Sequence, residues 1–350
     1  MKSNYEPLGK HIQLVDYRNS EEVTSTVLGI SIDKEFMPSV ANVIGTDLSR
    51  YKLISKGLFA CNPMHVGRDE RLPIALYEKD NAAIVSPAYF MFEIFDHDIL
   101  NEEYLMMWFR RPEFDRECWF MTDGSVRGGI SWDDLCRIQL PVPPYERQLD
   151  VVESYRAITR RIAMKKEIND NLEAVLAASH SKMFFSKDTS EHSKLGELMT
   201  FGNGKSRPKT DGPIPVYGGN GVLSYTDHHN IENAVLIGRV GAYCGSVYLE
   251  QGICWVSDNA IFAKSKITKD EFFDYFLLKR LNLFNHHVGT GQQLLTQEIL
   301  NNIEVPKPVT EQIELFNRKA TSIFETIFTN SREIIRLQEL SDLLLSRLAG

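Results

Sequence analysis

Between residues 309 and 350 the apolar positions recur in alternating steps of three and four: Ile313, Phe316, Ala320, Ile323, Ile327, Ile334, Leu337, Leu344 and Leu348. Asn330 and Ser341 complete the register as polar breaks. That spacing is a coiled-coil seam. It also runs through the middle of the chain on Val151, Tyr155, Ile158, Ile162, Leu172, Leu176 and Met183, interrupted by Lys165, Asn169 and Ser179. Neither stretch holds proline or glycine beyond its first turn until the chain end. Each therefore predicts one helix of about 40 residues, a rod of roughly 60 Å. A helix that long with a sustained seam needs a partner, and the other copy, running antiparallel, is the natural one.

The segments before each rod change character. Short β-type runs such as "NAVLIGRV" and "GSVYLEQGICWV" alternate with turn signals, and one helical stretch comes late in each, "NEEYLMMWFRR" and "KDEFFDYFLLKRL". The pattern predicts an α+β chain of two mainly β domains, 1–143 and 188–308. They alternate with two long helices, 144–187 and 309–350, paired as an antiparallel coiled coil.

The chain also repeats itself, with the pseudo-twofold relation that such a pairing needs. At a constant shift of 165, Gly124 meets Gly289, Ser131 meets Thr296, Leu135 meets Leu300, Pro141 meets Pro306 and Glu146 meets Glu311. Upstream a shift of 171 pairs Gly67 with Gly238, Arg68 with Arg239, Tyr77 with Tyr248, Ser86 with Ser257 and Tyr104 with Tyr275. Leu8-Gly9 and Leu195-Gly196 suggest a shift of 187 near the starts. The first copy is longer, and its two insertions are expected in loops.

The repeat decides one tempting motif. "LPVPPYERQ" (140–148) holds a Pro-Pro-Tyr triplet like the base-presenting turn of amino-methylating enzymes, but Val142 in front of it cannot accept a hydrogen bond. The second copy keeps the flanking prolines and reads Pro308-Val309-Thr310 instead. The triplet is therefore read as a strand-to-helix joint, with Glu146 or Glu311 in the first helical turn to suit the helix dipole.

Composition narrows the setting. With 350 residues, 43% hydrophobic and 25% charged, the chain is long enough for two domains. "MKSNYEPLGK" has no apolar core, so no signal peptide is expected, and "AAIVSPAYFMFEIF" (82–95) is too short to span a bilayer. Five cysteines form no C-x-x-C pair, which disfavours disulfides and zinc knuckles and suits the cytoplasm. The formal charge of −8 argues against coating nucleic acid by charge alone and leaves room for local basic loops.

Catalytic patterns fail on inspection. "GNGKS" (202–206) would need a glycine where Met199 stands, so a phosphate-binding loop is rejected. "YGGNG" (217–221) lacks the dinucleotide spacing. His228-His229 and His286-His287 are adjacent pairs without accompanying ligands, so no metal site is expected. Asp258 with Lys264 and Lys266 distantly resembles nuclease spacing, but the first copy has Pro87 in place of the aspartate.

What remains are polar loops suited to recognition. "NGKSRPKTDGPIPVYGGNG" (203–221) offers Lys205, Arg207, Lys209, Tyr217 and Asn220 among glycines. Lys and Arg neutralise phosphates, glycines admit close backbone approach, and Arg, Asn and Gln pair with base edges. "GRVGAYCGS" adds Arg239, and "HVGRDER" adds Arg68. The glycine loops 122–129 and 289–293 add Ser125, Arg127, Thr290, Gln292 and Gln293.

At "GGISWDDLCRIQLPVPPYERQ" with its long helix, and at "IPVYGGNGV…VLIGRVGAYCGSVYLEQGICWVSDNAIF", the sequence resembles the specificity subunits of type I restriction–modification systems. The resemblance covers essentially the whole chain, as target-recognition domain, spacer helix, target-recognition domain and spacer helix. The chain is short for that family and opens directly in the first recognition domain.

The resemblance implies a subunit with no active site of its own, which binds a bipartite DNA target, each recognition domain reading one half-site. The helix pair would set the spacing and dock two N6-adenine modification subunits. Restriction subunits would complete an ATP-dependent endonuclease, and S-adenosylmethionine, ATP and Mg would belong to the partners. No membrane partner is implied. Two other classes stay in play: a free-standing adenine methyltransferase, and a coiled-coil adaptor, which would have no need of the basic loop at 203–221.

Overall fold

The computed structural model describes residues 5–40, 45–64, 66–122, 128–186, 191–289 and 291–349. Both seams fold as single helices, Tyr145–Phe184 of 40 residues and Thr310–Ser346 of 37 residues. By their contacts the residues divide into two units, 1–164 with 334–350, and 165–333. Each unit takes a segment of both long helices.

The first unit contains β1 (Tyr5–Pro7), β2 (Ile12–Leu14), β3 (Val27–Ile30), β4 (Phe36–Pro38), β5 (Lys52–Ile54), β6 (Phe59–Cys61), β7 (Ile74–Leu76), β8 (Ala83–Val85), β9 (Phe90–Ile94) and β10 (Gln139–Pro141). Its helices are α1 (Val66–Asp69), α2 (Glu102–Phe109), α3 (Pro112–Phe120), α4 (Trp132–Arg137) and the start of α5 (Tyr145–Phe184). The second unit contains β11 (His192–Lys194), β12 (Met199–Asn203), β13 (Ile214–Gly218), β14 (Gly221–Thr226), β15 (Ile231–Gly238), β16 (Val247–Val256), β17 (Ala260–Ser265) and β18 (Glu304–Pro306). Its helices are α6 (Leu195–Leu198), α7 (Phe272–Arg280), α8 (Gln297–Asn302) and most of α9 (Thr310–Ser346).

In each unit the first strand closes on the last. β1 pairs antiparallel with β10, Tyr5 opposite Pro141 and Pro7 opposite Gln139. β11 pairs antiparallel with β18, His192 opposite Pro306 and Lys194 opposite Glu304. These are the positions that shifts of 187 and 165 superpose in the sequence. The likeness extends to single contacts. The Leu8 amide donates to the Ile138 carbonyl at 2.8 Å and that of Leu195 to Ile303 at 2.9 Å. Ser131 Oγ caps α4 by accepting the Asp134 amide at 3.1 Å, and Thr296 Oγ1 caps α8 by accepting that of Ile299 at 3.2 Å. A Cβ on Gly9 would stand 2.7 Å from Cys136 Cβ, and one on Gly196 would stand 2.5 Å from Asn301 Oδ1. At both places only glycine lets the chain pass the last turn of the capped helix.

The sheets repeat with one difference. The second unit has a six-stranded sheet in the order β12-β17-β15-β16-β13-β14. The first has two four-stranded sheets, β2-β9-β6-β7 and β4-β3-β8-β5. Register shows the common plan: β3 runs parallel to β8 with Val27 opposite Ile84, and β13 runs parallel to β16 with Val216 opposite Trp255. Where the second unit has the continuous hairpin β15–β16, the first has β5 and β6, then β7 and β8, separated by turns. The inserted residues break the long strands, and the sheet divides.

The seam predicted from spacing is the face that the long helices bury: every seam position named above is buried or half-buried. In the second unit Leu176, Phe316, Ala320 and Phe324 join one apolar core. Lys165 pairs there with Glu333 at 2.8 Å, and Asn330 Nδ2 donates to Asn169 Oδ1 at 2.9 Å. In the first unit Val152, Leu345 and Leu348 are buried together, with Val151, Tyr155 and Leu344 against them.

The joint at Pro143-Pro144 is structural. Gln148, fully buried on the first turns of α5, donates from Nε2 to Ile99 O at 2.8 Å and Pro143 O at 2.9 Å, and accepts the Asn101 amide at 3.0 Å. Asn317 ties α9 down in a similar way, accepting the Phe273 amide at 2.9 Å and donating to Thr268 Oγ1 and Asp270 O, each at 2.9 Å. Each long helix is thus hydrogen-bonded to the start of the late helix of a unit it belongs to.

Candidate nucleic-acid interface

In the second unit, backbone contacts knit the loops between strands into one cluster. The Lys205 amide donates to Val256 O at 2.9 Å and the Ser257 amide to Tyr217 O at 2.9 Å. The Arg239 amide donates to Asn259 O at 3.0 Å, the Leu295 amide to Arg239 O at 2.9 Å, and the Gly241 amide to Gln293 O at 3.1 Å. A Cβ on Gly238 would stand 2.2 Å from Tyr243 O and 2.8 Å from Gly219 O, so glycine is what lets these loops touch. Loops 203–213, 217–221, 238–246, 256–260 and the described residues 288–289 and 291–295 therefore form a single surface, most of it irregular backbone on the sheet.

Eight of the sequence candidates lie on it. Lys205, Arg207 and Lys209 are exposed along the first loop, and Asn220 is exposed on the turn between β13 and β14. Gln292 is exposed and Gln293 half-buried. Arg239 is half-buried, and its Nε is buried without a hydrogen-bond partner. Tyr217 is different: its hydroxyl donates to Glu250 Oε2 at 3.0 Å, and burial together with that carboxylate pushes its phenol well above the usual range. Its polar end is committed within the sheet. The cluster also carries Asp211 and Asp258, both exposed, so its positive character is concentrated on the 205–209 stretch.

Arg68 belongs to the first unit, on α1. Its guanidinium is paired with Asp69 through a 2.6 Å bond from Nε, and that carboxylate holds the Arg68 pKa above its usual value. Ser125, Arg127 and Thr290 lie outside the described residues.

The pairing of Arg68 with Arg239 is corrected by the strand register. Phe59 stands opposite Phe92 as Val235 stands opposite Ala263, and Ile130 donates its amide to Pro63 O as Leu295 does to Arg239 O. Arg239 therefore takes the place of Pro63. Residues inserted after β6 displace "VGR" from that place, and the ungapped match of Gly-Arg was coincidental. Tyr77 and Tyr248 are separated by a similar slip, because Leu76 and Leu249 hold the equivalent strand positions.

Other polar candidates are structural. Lys264 pairs with Glu271 Oε1 at 2.6 Å and caps the Glu232 carbonyl at 3.1 Å, and Lys266 donates to the Gly196 carbonyl. This removes the nuclease-like reading around Asp258. Among the described residues no group of three or more His, Cys, Asp or Glu is placed to hold a metal ion, and no helix is long and apolar enough to cross a membrane. Tyr243, 51% exposed within the cluster, was not singled out from the sequence. The signal available was an aromatic between two glycine turns, in "GAYCG".

Residues 187–343 match the family model of the type I restriction modification DNA specificity domain. In structure the chain is similar to the S subunit of the type I restriction-modification system from M. genitalium, at 15% identity and a TM-score of 0.61, with 98% of this chain and 95% of that chain covered. It is also similar to the HsdS subunit from Thermoanaerobacter tengcongensis, at 16% identity and a TM-score of 0.39, with 98% and 95% covered. Among curated proteins none matches the sequence.

Proposed function

We propose that this chain is the DNA-reading, non-catalytic member of a type I restriction–modification complex; its residues 187–343 belong to the type I DNA specificity domain family, and nearly its whole length takes the fold of a specificity subunit. Each unit reads one half of a bipartite target in double-stranded DNA. The paired helices set the distance between the halves and dock two modification subunits, which supply S-adenosylmethionine and the N6-adenine chemistry. Restriction subunits, with ATP and Mg, add cleavage in the full assembly. The complex acts in the cytoplasm, where its DNA is.

The observation that carries this reading is a frame that repeats under loops that do not. The β1–β10 and β11–β18 registers, the capped helices and the glycine passages agree contact by contact. The loops above them differ in sequence and length, as "HVGRDER" differs from "GRVGAYCGS". Two frames of one kind bearing different loops suit two different short words in DNA, because sequence is read by loop side chains on base edges while the scaffold only positions them. Lys205, Arg207, Lys209, Asn220, Arg239, Gln292 and Gln293 are the contacts proposed for the second half-site, and Arg68, Ser125 and Arg127 for the first; Thr290 is proposed for the second half-site from the sequence alone.

Methylome sequencing of cells that carry this chain with its modification subunit tests the proposal, with a two-part adenine-methylated motif expected. A companion deletion variant lacks Ile158 to Asn171 and Ile323 to Arg336, two heptads from each rod. It is expected to change the gap between the two parts and neither part itself. A changed half-site word, or no motif at all, would count against the helices as a spacer or against the chain as a reader.

A further inference from the structure

Most exposed apolar side chains on a soluble protein need no explanation. One pair here recurs. Trp119, at the end of α3, is 46% exposed, and Phe284, in the 3-10 turn Leu283–His286, is 40% exposed. They are 165 residues apart, the shift that superposes the two joints. The residues before them, Cys118 and Leu283, are both buried to within 1%. In each copy the carbonyl of the aromatic receives two bonds from the residue three positions on. Trp119 O accepts the Thr122 amide at 3.1 Å and its Oγ1 at 2.8 Å. Phe284 O accepts the His287 amide at 3.3 Å and is also met by its Nδ1. The same closed turn thus holds one side chain inward and an aromatic outward, immediately before each glycine loop.

The neighbourhood joins these rings to the surface already described. A Cβ on Gly245 would stand 2.5 Å from the Phe284 amide nitrogen, and the Gly245 amide donates to Gly238 O at 2.8 Å, inside the loop cluster. In the first unit the chain leaving Trp119 returns at Gly128, whose carbonyl accepts the Gly67 amide at 3.1 Å beside Arg68. Phe120, next to Trp119, is 85% exposed, whereas the second copy has Asn285 there.

We propose, resting on the DNA reading above, that Trp119 and Phe284 are stacking residues, each pressing its ring against a base or base step of its own half-site. A solvent-facing aromatic held by a fixed turn has the chemistry for this, since every base offers a π face and a wedge favours the steps that unstack easily.

The test uses the complex assembled with its modification subunits on the target found by methylome sequencing, with 2-aminopurine placed at successive positions of each half-site. Trp119→Leu keeps an apolar side chain without a π face. It is expected to weaken binding about tenfold and to abolish the 2-aminopurine response in one half-site only. Phe284→Leu is expected to do the same in the other half-site, and Trp119→Phe and Phe284→Tyr to retain both responses. Melting temperatures matched to the parent, with the aromatic variants as controls, separate this from loss of fold. Leucine variants that bind and respond as the parent does overturn the stacking role and leave the specificity reading intact. A parent complex without sequence preference overturns both.

Discussion

Lys165 Nζ donates to Asn330 Oδ1 at 2.9 Å, and these two residues, 165 apart, hold the same place in the two copies of the repeat. Antiparallel helices related by a repeat bring equivalent positions face to face at a single level. Here that level is polar: Asn330 also donates to Asn169 Oδ1 at 2.9 Å, and Glu333 pairs with Lys165 at 2.8 Å. Buried polar groups that satisfy one another fix register, because any slip leaves them unpaired.

Asn330→Leu should therefore lower stability by about 1–3 kcal/mol, because Asn169 Oδ1 loses its donor and Lys165 Nζ one of its acceptors. Replacing Lys165, Asn169 and Asn330 together by leucine should recover most of that loss. Denaturant unfolding of the three proteins measures it; a single variant as stable as the parent would show the network to be idle.

Gln148 closes the first joint with three hydrogen bonds from a fully buried side chain. Gln148→Ala is expected to cost about 1–3 kcal/mol and to accelerate hydrogen exchange at the Asn101 amide, which loses its acceptor. Unchanged protection at Asn101 would count against the joint as drawn.

Burial, with a smaller push from Glu271, raises the Asp274 carboxyl to about 7 from the usual 3.8. The folded chain then keeps a proton that the unfolded chain releases. The group's contribution to stability falls as pH rises from about 4 to about 7 and stays low beyond. Asp274→Asn should raise the melting temperature at pH 8, by up to about 4 kcal/mol in stability, and change it little at pH 4. An equal effect at both pH values would rule out titration as the cause.

The cations at 205–209 give a salt signature. If Lys205 and Arg207 each neutralise a phosphate, the double alanine variant should weaken binding by the assembled complex, most at low salt. It should also flatten the slope of log K against log salt by up to about 2. The recognised words should not change. A parental slope would remove this loop from the phosphate contacts.

How much could be read from the chain varies with the range of the interaction. The match of Ser131 with Thr296 and of Pro141 with Pro306 was legible because no insertion falls between 124 and 149, so one constant shift carries it; that the first pair are helix caps came from the structure. The counterpart of Arg239 was not. An insertion after β6 moves the sequence match away from the strand register, and only the pairing of Phe59 with Phe92 reveals Pro63 as the equivalent. Tyr217 read as a loop aromatic; its bond to Glu250, 33 residues away, draws it into the sheet.

By itself the order of residues determined two long helices with an antiparallel seam, two β-rich modules and the repeat that relates them. The helices and strands follow from local periodicities that backbone geometry imposes, and the repeat from matching one half of the sequence with the other. Only the tertiary structure decided that one module divides its sheet and the other does not, that Gln148 and Asn317 anchor the rods, and that five separate loops share one surface. Those features rest on hydrogen bonds between residues tens of positions apart, whose partners no local pattern specifies.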